Sequence, residues 1–351
     1  MISGTTNTES NYREKLLDSS SSLKDFSFNR KAYYKKYVLG EDVREKDNQA
    51  INIGRLVETI LLEPELFDNK FHLSACANPP TELMLKFVEA LADISVEATN
   101  DQGEVTKSFE DMSREAYDRS GYKLNYDAVI KKFAGGDAEI YYEELVKVKA
   151  QNLTVVSVDD VSNAERIVAE LKSNPITASI VNKVDSVQWE VQKQFQIENF
   201  EIDGLPMKAM QDLVLVDHKN KIVQTYDLKT TFAVESFVDD YYMYRRAYIQ
   251  AYVYYKACLS LTMNKKHEWY GYIVEPPKFI VCDSINYYSP LIYTLSIDDL
   301  NDAYTGFEYK GRTYPGVASI ISDLKFAMKN NVWNISRENY LNNGIVPIRE
   351  R

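Results

Sequence analysis

The chain has 351 residues, of which 45% are hydrophobic and 26% charged, with a formal net charge of −11. That length accommodates one large or two ordinary domains with a sizeable core. The acidic balance excludes coating of nucleic acid by the whole surface but leaves room for a local basic groove.

No run reaches the length of a membrane span. Cys76, Cys258 and Cys282 are too widely spaced for a disulfide framework or a metal knuckle. They also fall one short of the four thiolates an iron–sulfur cluster usually takes, so no such cluster is expected. Residues 1–18 are rich in Ser, Thr and Asn and lack the basic and apolar regions of a secretory signal. They read as a frayed tail of a cytoplasmic protein, with 19–351 as a single domain.

Ser19–Ser22 leads into two short helices with an aromatic face, Phe26, Tyr33, Tyr34 and Tyr37. The face is either a packing element or a wall of a site. An apolar helix follows, with Ile53, Leu56, Val57, Ile60 and Leu61 at helical spacing and Pro64 as its stop. Glu58 sits inside that apolar stretch, either as a boundary residue reaching water or as a placed ligand. Residues 79–150 carry helical periodicity and dense charge, with a loop at Thr99–Lys107 and a break at Gly135–Gly136. Asp159 and Asp160 cap a further helix, Val161–Lys172, which ends at Asn174–Pro175. Together these segments read as a helical insertion over about 79–182.

Alternation takes over after Asp185 and turns at Asp203–Gly204. Two strands follow, Ala209–Val216 and Lys221–Leu228, joined by the polar turn Asp217–Asn220. Asp212 lies inside the first strand, and Asp227 lies near the end of the second, two residues before Lys229. Side chains alternate along a strand, so Asp227 and Lys229 share a face. Charges are depleted from strand interiors unless they are paired or bind a metal. A carboxylate on each of two adjacent strands, with an ammonium beside one, suits divalent-metal phosphodiester chemistry. An exposed hairpin end with an ion pair would give the same pattern.

A long helix, roughly Val234–Leu261, is predicted next, with Arg246, Gln250 and Tyr254 at four-residue spacing on one face. Strands are expected at His267–Val274, Phe279–Cys282 and Leu291–Leu295, then helix over 297–333 with an interruption at Gly311–Gly316.

The order Gly54…Glu58 on a helix, Asp212 on a strand, Asp227-x-Lys229 on the next strand and Gln250-x-x-x-Tyr254 on a helix resembles the RecB-like branch of the PD-(D/E)xK nuclease superfamily. Within that branch the chain is most similar to exodeoxyribonuclease VIII-type enzymes of phages and prophages. The likeness runs from about Ser20 to about Cys282. It includes the opening Ser20-Ser21-Ser22-Leu23-Lys24…Tyr33…Leu39-Gly40-Glu41 and the helix Gly54…Leu62-Glu63-Pro64.

The resemblance implies an α/β (α+β) fold with a restriction-endonuclease-like core, a mixed central sheet flanked by helices. It implies that Asp212 and Asp227 hold Mg²⁺ (or Mn²⁺) with the Leu228 carbonyl, and that Lys229 is the catalytic lysine. Glu58, where the family commonly has His, would be a further ligand. Gln250 and Tyr254 would organise the site and hold the DNA backbone, and Arg246 joins them as a DNA-binding candidate. The implied activity is a 5′-to-3′ exonuclease on linear duplex ends in phage-type recombination, as a homo-oligomer beside a single-strand annealing protein in a bacterial host cytoplasm. A RecB-like endonuclease or end processor is the alternative within the superfamily. A catalytically idle DNA-binding or assembly module is the alternative outside it.

Overall fold

The computed structural model describes residues 3–5, 12, 15, 17–41, 49–76, 80–100, 102–151, 153–346 and 348. The chain divides into two compact units, Met1–Ala50 with Ile167–Arg351, and Ile51–Arg166. The sequence predicts one domain with an insertion at about 79–182; the smaller unit instead starts and ends earlier, and the Glu58 helix goes with it. No helix among the described residues is long and apolar enough to cross a membrane.

Part of the expected tail is ordered. Strand β1 (Ser3–Thr5) pairs with Gln196–Glu198, and Lys208 holds the Tyr12 and Lys15 carbonyls at 2.6 and 2.7 Å. Other residues of the 1–18 segment lie outside the described ones. Helix α1 (Ser20–Phe28) starts at a capping box in which Ser19 and Ser22 satisfy each other's backbone N–H. A short turn of helix and a wider turn follow to Val38. Tyr33 is buried against Phe26 and stacks on Trp333, so this part of the aromatic face serves packing.

In the smaller unit, helix α2 (Gln49–Leu62) buries Leu56 and Val57. Helices α3 (Glu82–Glu97), α4 (Phe109–Ser120), α5 (Tyr126–Phe133) and α6 (Asp137–Ala150) enclose a core that includes Phe87, Leu91, Ile94, Ala116 and Phe133. Strands β2 (Phe71–Leu73) and β3 (Thr154–Val156) form a short parallel pair. Helix α7 (Val158–Ser173) follows.

The larger unit is built on a mixed sheet of order β1-β4-β5-β6-β7-β8. Its main strands are β4 (Trp189–Ile202), β5 (Leu205–Asp217), β6 (Ile222–Thr231), β7 (Ile273–Asp283) and β8 (Leu291–Thr294). Asp203 and Gly204 both take positive φ, 50° and 68°, the pairing that tight two-residue hairpins require. The β5–β6 turn is held by the Asp217 carboxylate, which accepts from the Lys219 and Asn220 N–H groups at 3.0 Å.

β6 and β7 are parallel, and a parallel pair needs a crossover. Helix α8 (Ala247–Thr262) supplies it and packs on the sheet, buried on nearly every side. That crossover brings Gln250 and Tyr254 to the strands carrying the two aspartates. Helix α9 (Ile297–Thr305), hairpin β9 (Gly306–Tyr309)–β10 (Arg312–Pro315) and helix α10 (Val317–Asn330) complete the unit.

Three local expectations differ. β7 runs unbroken through Pro276–Pro277, where two strands are expected. The Gly311–Gly316 interruption is a hairpin turn and strand. The long helix from Val234 is split by a wide turn at Val238–Met243, and α8 begins only at Ala247. The result is nonetheless the expected class, a mixed α/β fold with a mixed central sheet flanked by helices.

Candidate active site

Asp212 and Asp227 come together across the β5–β6 pair, where Leu213 registers with Tyr226. The Leu228 N–H donates to Asp212 Oδ2 at 2.7 Å, so the backbone of the Asp-x-Lys strand itself anchors the other aspartate. Lys229 shares the face of Asp227, as alternation requires, and forms an ion pair with Asp227 Oδ2. Its Nζ also donates to the Leu228 carbonyl at 3.3 Å.

From α8, Gln250 Nε2 donates to Asp227 Oδ1 and to the Tyr254 hydroxyl, both at 2.8 Å. One turn of helix separates the two residues, so one amide spends both protons fixing a carboxylate and a phenol.

The electrostatics follow from burial. Asp227 is 1% exposed, and an isolated carboxylate there would be costly. Burial alone would lower the Lys229 pKa, but Asp227, Tyr241 and Asp212 outweigh it and push it up. Lys229 is therefore a fixed ammonium. Burial, then Asp227 and Asp212, pushes the Tyr254 hydroxyl well above its ordinary pKa against the lowering effect of Gln250. The phenol stays neutral and keeps its proton to donate.

Asp227 Oδ2 is buried and meets only the Lys229 ammonium. An oxygen contacted only by a point charge can accept a second cation. The donor set around it, two carboxylates and a main-chain carbonyl, is all hard oxygen, which suits Mg²⁺ completed by water or phosphate oxygens. These residues fit the ion that the sequence implies.

Glu58 is on α2 in the smaller unit and is half-buried. Among the described residues no three His, Cys, Asp or Glu side chains converge as a metal-ligand group. Arg246 precedes α8 rather than lying on its face. It has left-handed backbone angles, φ 54° and ψ 42°, a conformation with a steric cost for a long side chain. Its guanidinium lies 4.2 Å from the centroid of the Phe28 ring, with Nη1 buried and unbonded. The predicted four-residue ladder Arg246–Gln250–Tyr254 thus holds only for its last two members.

Two nearby cations escaped sequence reasoning. Lys24 on α1 lies within electrostatic reach of Asp227, Lys229 and Arg245. Arg245 stands over the Tyr241 ring at 5.1 Å, the ring that Lys229 approaches to 5.9 Å. Lys24 stands in the opening motif of the resemblance without a role there, and Arg245 in none, because tertiary packing creates the neighbourhood.

No family model matches the chain, and no curated protein matches it. Among solved structures, it is similar to a candidate exonuclease from Eubacterium rectale at 14% identity and a TM-score of 0.49, over 99% of this chain and 96% of that one. The site's own geometry carries the functional reading.

Proposed function

We propose that the chain is a metal-dependent deoxyribonuclease that hydrolyses phosphodiester bonds, acting as an exonuclease on linear duplex DNA. The observation that carries this reading is the buried Asp227, held between the Lys229 ammonium and the Gln250 amide, beside Asp212 on the neighbouring strand. A purely structural ion pair would have no use for Asp212 and Tyr254 in the same cluster.

Asp212, Asp227 and the Leu228 carbonyl would hold Mg²⁺ (Mn²⁺ is the alternative ion). When bound, that ion supplies an acidified water and charge neutralisation at the phosphate. The chain's own residues do the rest. Gln250 fixes the rotamer of Asp227 and prevents its rotation away from the centre. Lys229 orients the attacking water and offsets charge developing on the phosphate. Tyr254, its oxygen occupied by Gln250, turns its proton toward a phosphate oxygen.

The test is incubation of the purified chain with end-labelled linear duplex and with closed circles, with and without Mg²⁺. Mg²⁺-dependent loss of label from the linear substrate, with circles intact, is the expected result. Cutting of circles would replace the exonuclease by an endonuclease. Binding of DNA without cleavage in Mg²⁺ or Mn²⁺ would leave an idle module.

A further inference from the structure

Most cations near α1 are spent on carboxylates: Arg30 reaches Asp323 at 2.6 Å, and Lys36 reaches Asp25 at 3.2 Å. Lys24 is not. Its ammonium is half-buried where α1 packs against α8, and it makes no hydrogen bond or ion pair among the described residues. Its sequence neighbour Asp25 cannot neutralise it, because that carboxylate is taken by Lys36 and by the Tyr37 hydroxyl at 2.8 Å. Asp227 cannot either, since Lys229 and Gln250 already engage it.

Lys24 therefore faces Lys229 and Arg245, and the two carboxylates within its reach, Asp227 and Asp25, are each paired to another cation. Arg245 is in the same position: its guanidinium is exposed, packs on Tyr241 and has no carboxylate partner among the described residues. In a chain with 52 acidic and 41 basic residues, carboxylates are not scarce, yet among the described residues none pairs with Lys24 or Arg245. Leaving a partly buried ammonium unpaired is destabilising. A divalent ion on the two aspartates would add to the repulsion. What the cluster lacks is an anion from outside the chain, and phosphates are the groups that ammonium and guanidinium ions hold with charge-assisted hydrogen bonds.

We infer that Lys24, flanked by Arg245, holds a phosphate of the DNA strand beside the Asp212–Asp227–Lys229 centre, as a substrate-binding residue rather than a participant in bond cleavage. This rests on the nuclease reading above and adds to it the means by which an acidic protein grips its substrate at the site.

The test measures binding of a fluorescently labelled linear duplex in metal-free buffer at several salt concentrations, together with melting temperature and Mg²⁺-dependent cleavage. The proteins are wild type, Lys24→Gln, Lys24→Met and Lys24→Arg. Lys24→Gln and Lys24→Met are expected to weaken binding by about tenfold and to reduce the slope of log affinity against log salt by ~1. Lys24→Arg should keep the slope. Lys24→Met should melt no lower than wild type, because it removes an unpaired charge.

Unchanged affinity and slope in Lys24→Gln and Lys24→Met would overturn the inference. So would weakened binding accompanied by a melting temperature lowered by several degrees, which is what a merely structural residue would give. Failure of the nuclease reading looks different: the wild type itself would not cleave linear duplex with Mg²⁺.

Discussion

Two buried polar clusters tie β5 and β6 to α8, and they sit side by side in the sequence. In the first, Gln211 is fully buried, Thr225 donates to its Oε1 at 2.6 Å, and the Cys258 thiol donates to the same oxygen at 3.3 Å. Gln211 Nε2 in turn reaches the Tyr254 carbonyl at 3.4 Å. Every member is neutral, and every partner is supplied by the chain. In the second, one residue further along β5, two further along β6 and one turn back along α8, Asp212, Asp227 and Lys229 carry charge, with Gln250 and Tyr254 beside them, and Asp227 Oδ2 meets only the Lys229 ammonium. Closed neutral networks fix a core, and their loss costs stability. A charged network beside it in the same fold is the one suited to bind an ion or a phosphate. The contrast, more than burial or charge alone, separates scaffold from site.

The largest expected effect breaks the charged cluster without touching the closed one. Asp227→Asn and Lys229→Ala should each lower the turnover of end-labelled duplex by ~100-fold or more, the usual consequence of removing one preorganised charged group. Their circular dichroism should stay native. Turnover at the wild-type rate in either would move the chemistry away from this pair.

The reverse experiment breaks the closed cluster. Thr225→Val removes the donor to Gln211 and leaves a buried carbonyl served by a thiol alone. It should cost ~1–3 kcal/mol in denaturant unfolding and leave turnover within about twofold. A variant that is stable but inactive would mean that the two clusters act as one.

Metal response sharpens the same division. An ion that binds only the folded state stabilises it by ~2.7 kcal/mol at a hundred times its dissociation constant. Mg²⁺ should therefore raise the melting temperature of the wild type and of Thr225→Val, and should do little for Asp227→Asn. Glu58→Gln extends the test to the smaller unit. A metal-dependent rise unchanged in this variant would leave the ion to Asp212, Asp227 and the Leu228 carbonyl. A loss equal to that of Asp227→Asn would put Glu58 among the ligands.

How much of this was legible in the sequence depends on how local the cause is. Asp212, Asp227 and Lys229 could be read because strand alternation is a two-residue rule and charges inside strands are rare. Gln250 and Tyr254 could be read because one turn of helix relates them. Arg246 was misplaced because nothing in Tyr244–Arg245–Arg246 announces a break; no glycine or proline marks the left-handed residue, and packing around the wide turn imposes it. β7 was split in two because Pro276 and Pro277 look like a stop, whereas the strand continues through them beside β6. Gln211, Thr225 and Cys258 were passed over as ordinary strand and helix residues, since their meaning lies in contacts between elements. Lys24 is the extreme case. Its neighbours are Lys229 and Arg245, more than two hundred positions away in the chain.

The smallest expected effect concerns that lysine and its titration. Burial, then the nearby Lys229, lowers the Lys24 pKa from an ordinary 10.5 to about 8, with Arg245 adding to the shift and Asp227 and Asp25 opposing it. The sign of the stability effect follows from proton counting. Below about pH 8 the ammonium is charged in both the folded and unfolded chain, and the fold carries the full cost of burying it. Between about pH 8 and 10.5 the folded chain has released the proton while the unfolded chain still holds it. The unfolded state then binds more protons, and this residue's contribution to stability rises with pH. Lys24→Met has no such proton, so it should be the more stable protein at pH 7, and its advantage over wild type should shrink as pH is raised toward 10. Denaturant midpoints of both proteins in chelator, taken at intervals across that range, read the difference directly and cancel the titration of every other group. A gap between the two that stays constant with pH would mean that Lys24 is an ordinary solvated lysine, and the charged cluster around Asp227 would lose one of its members.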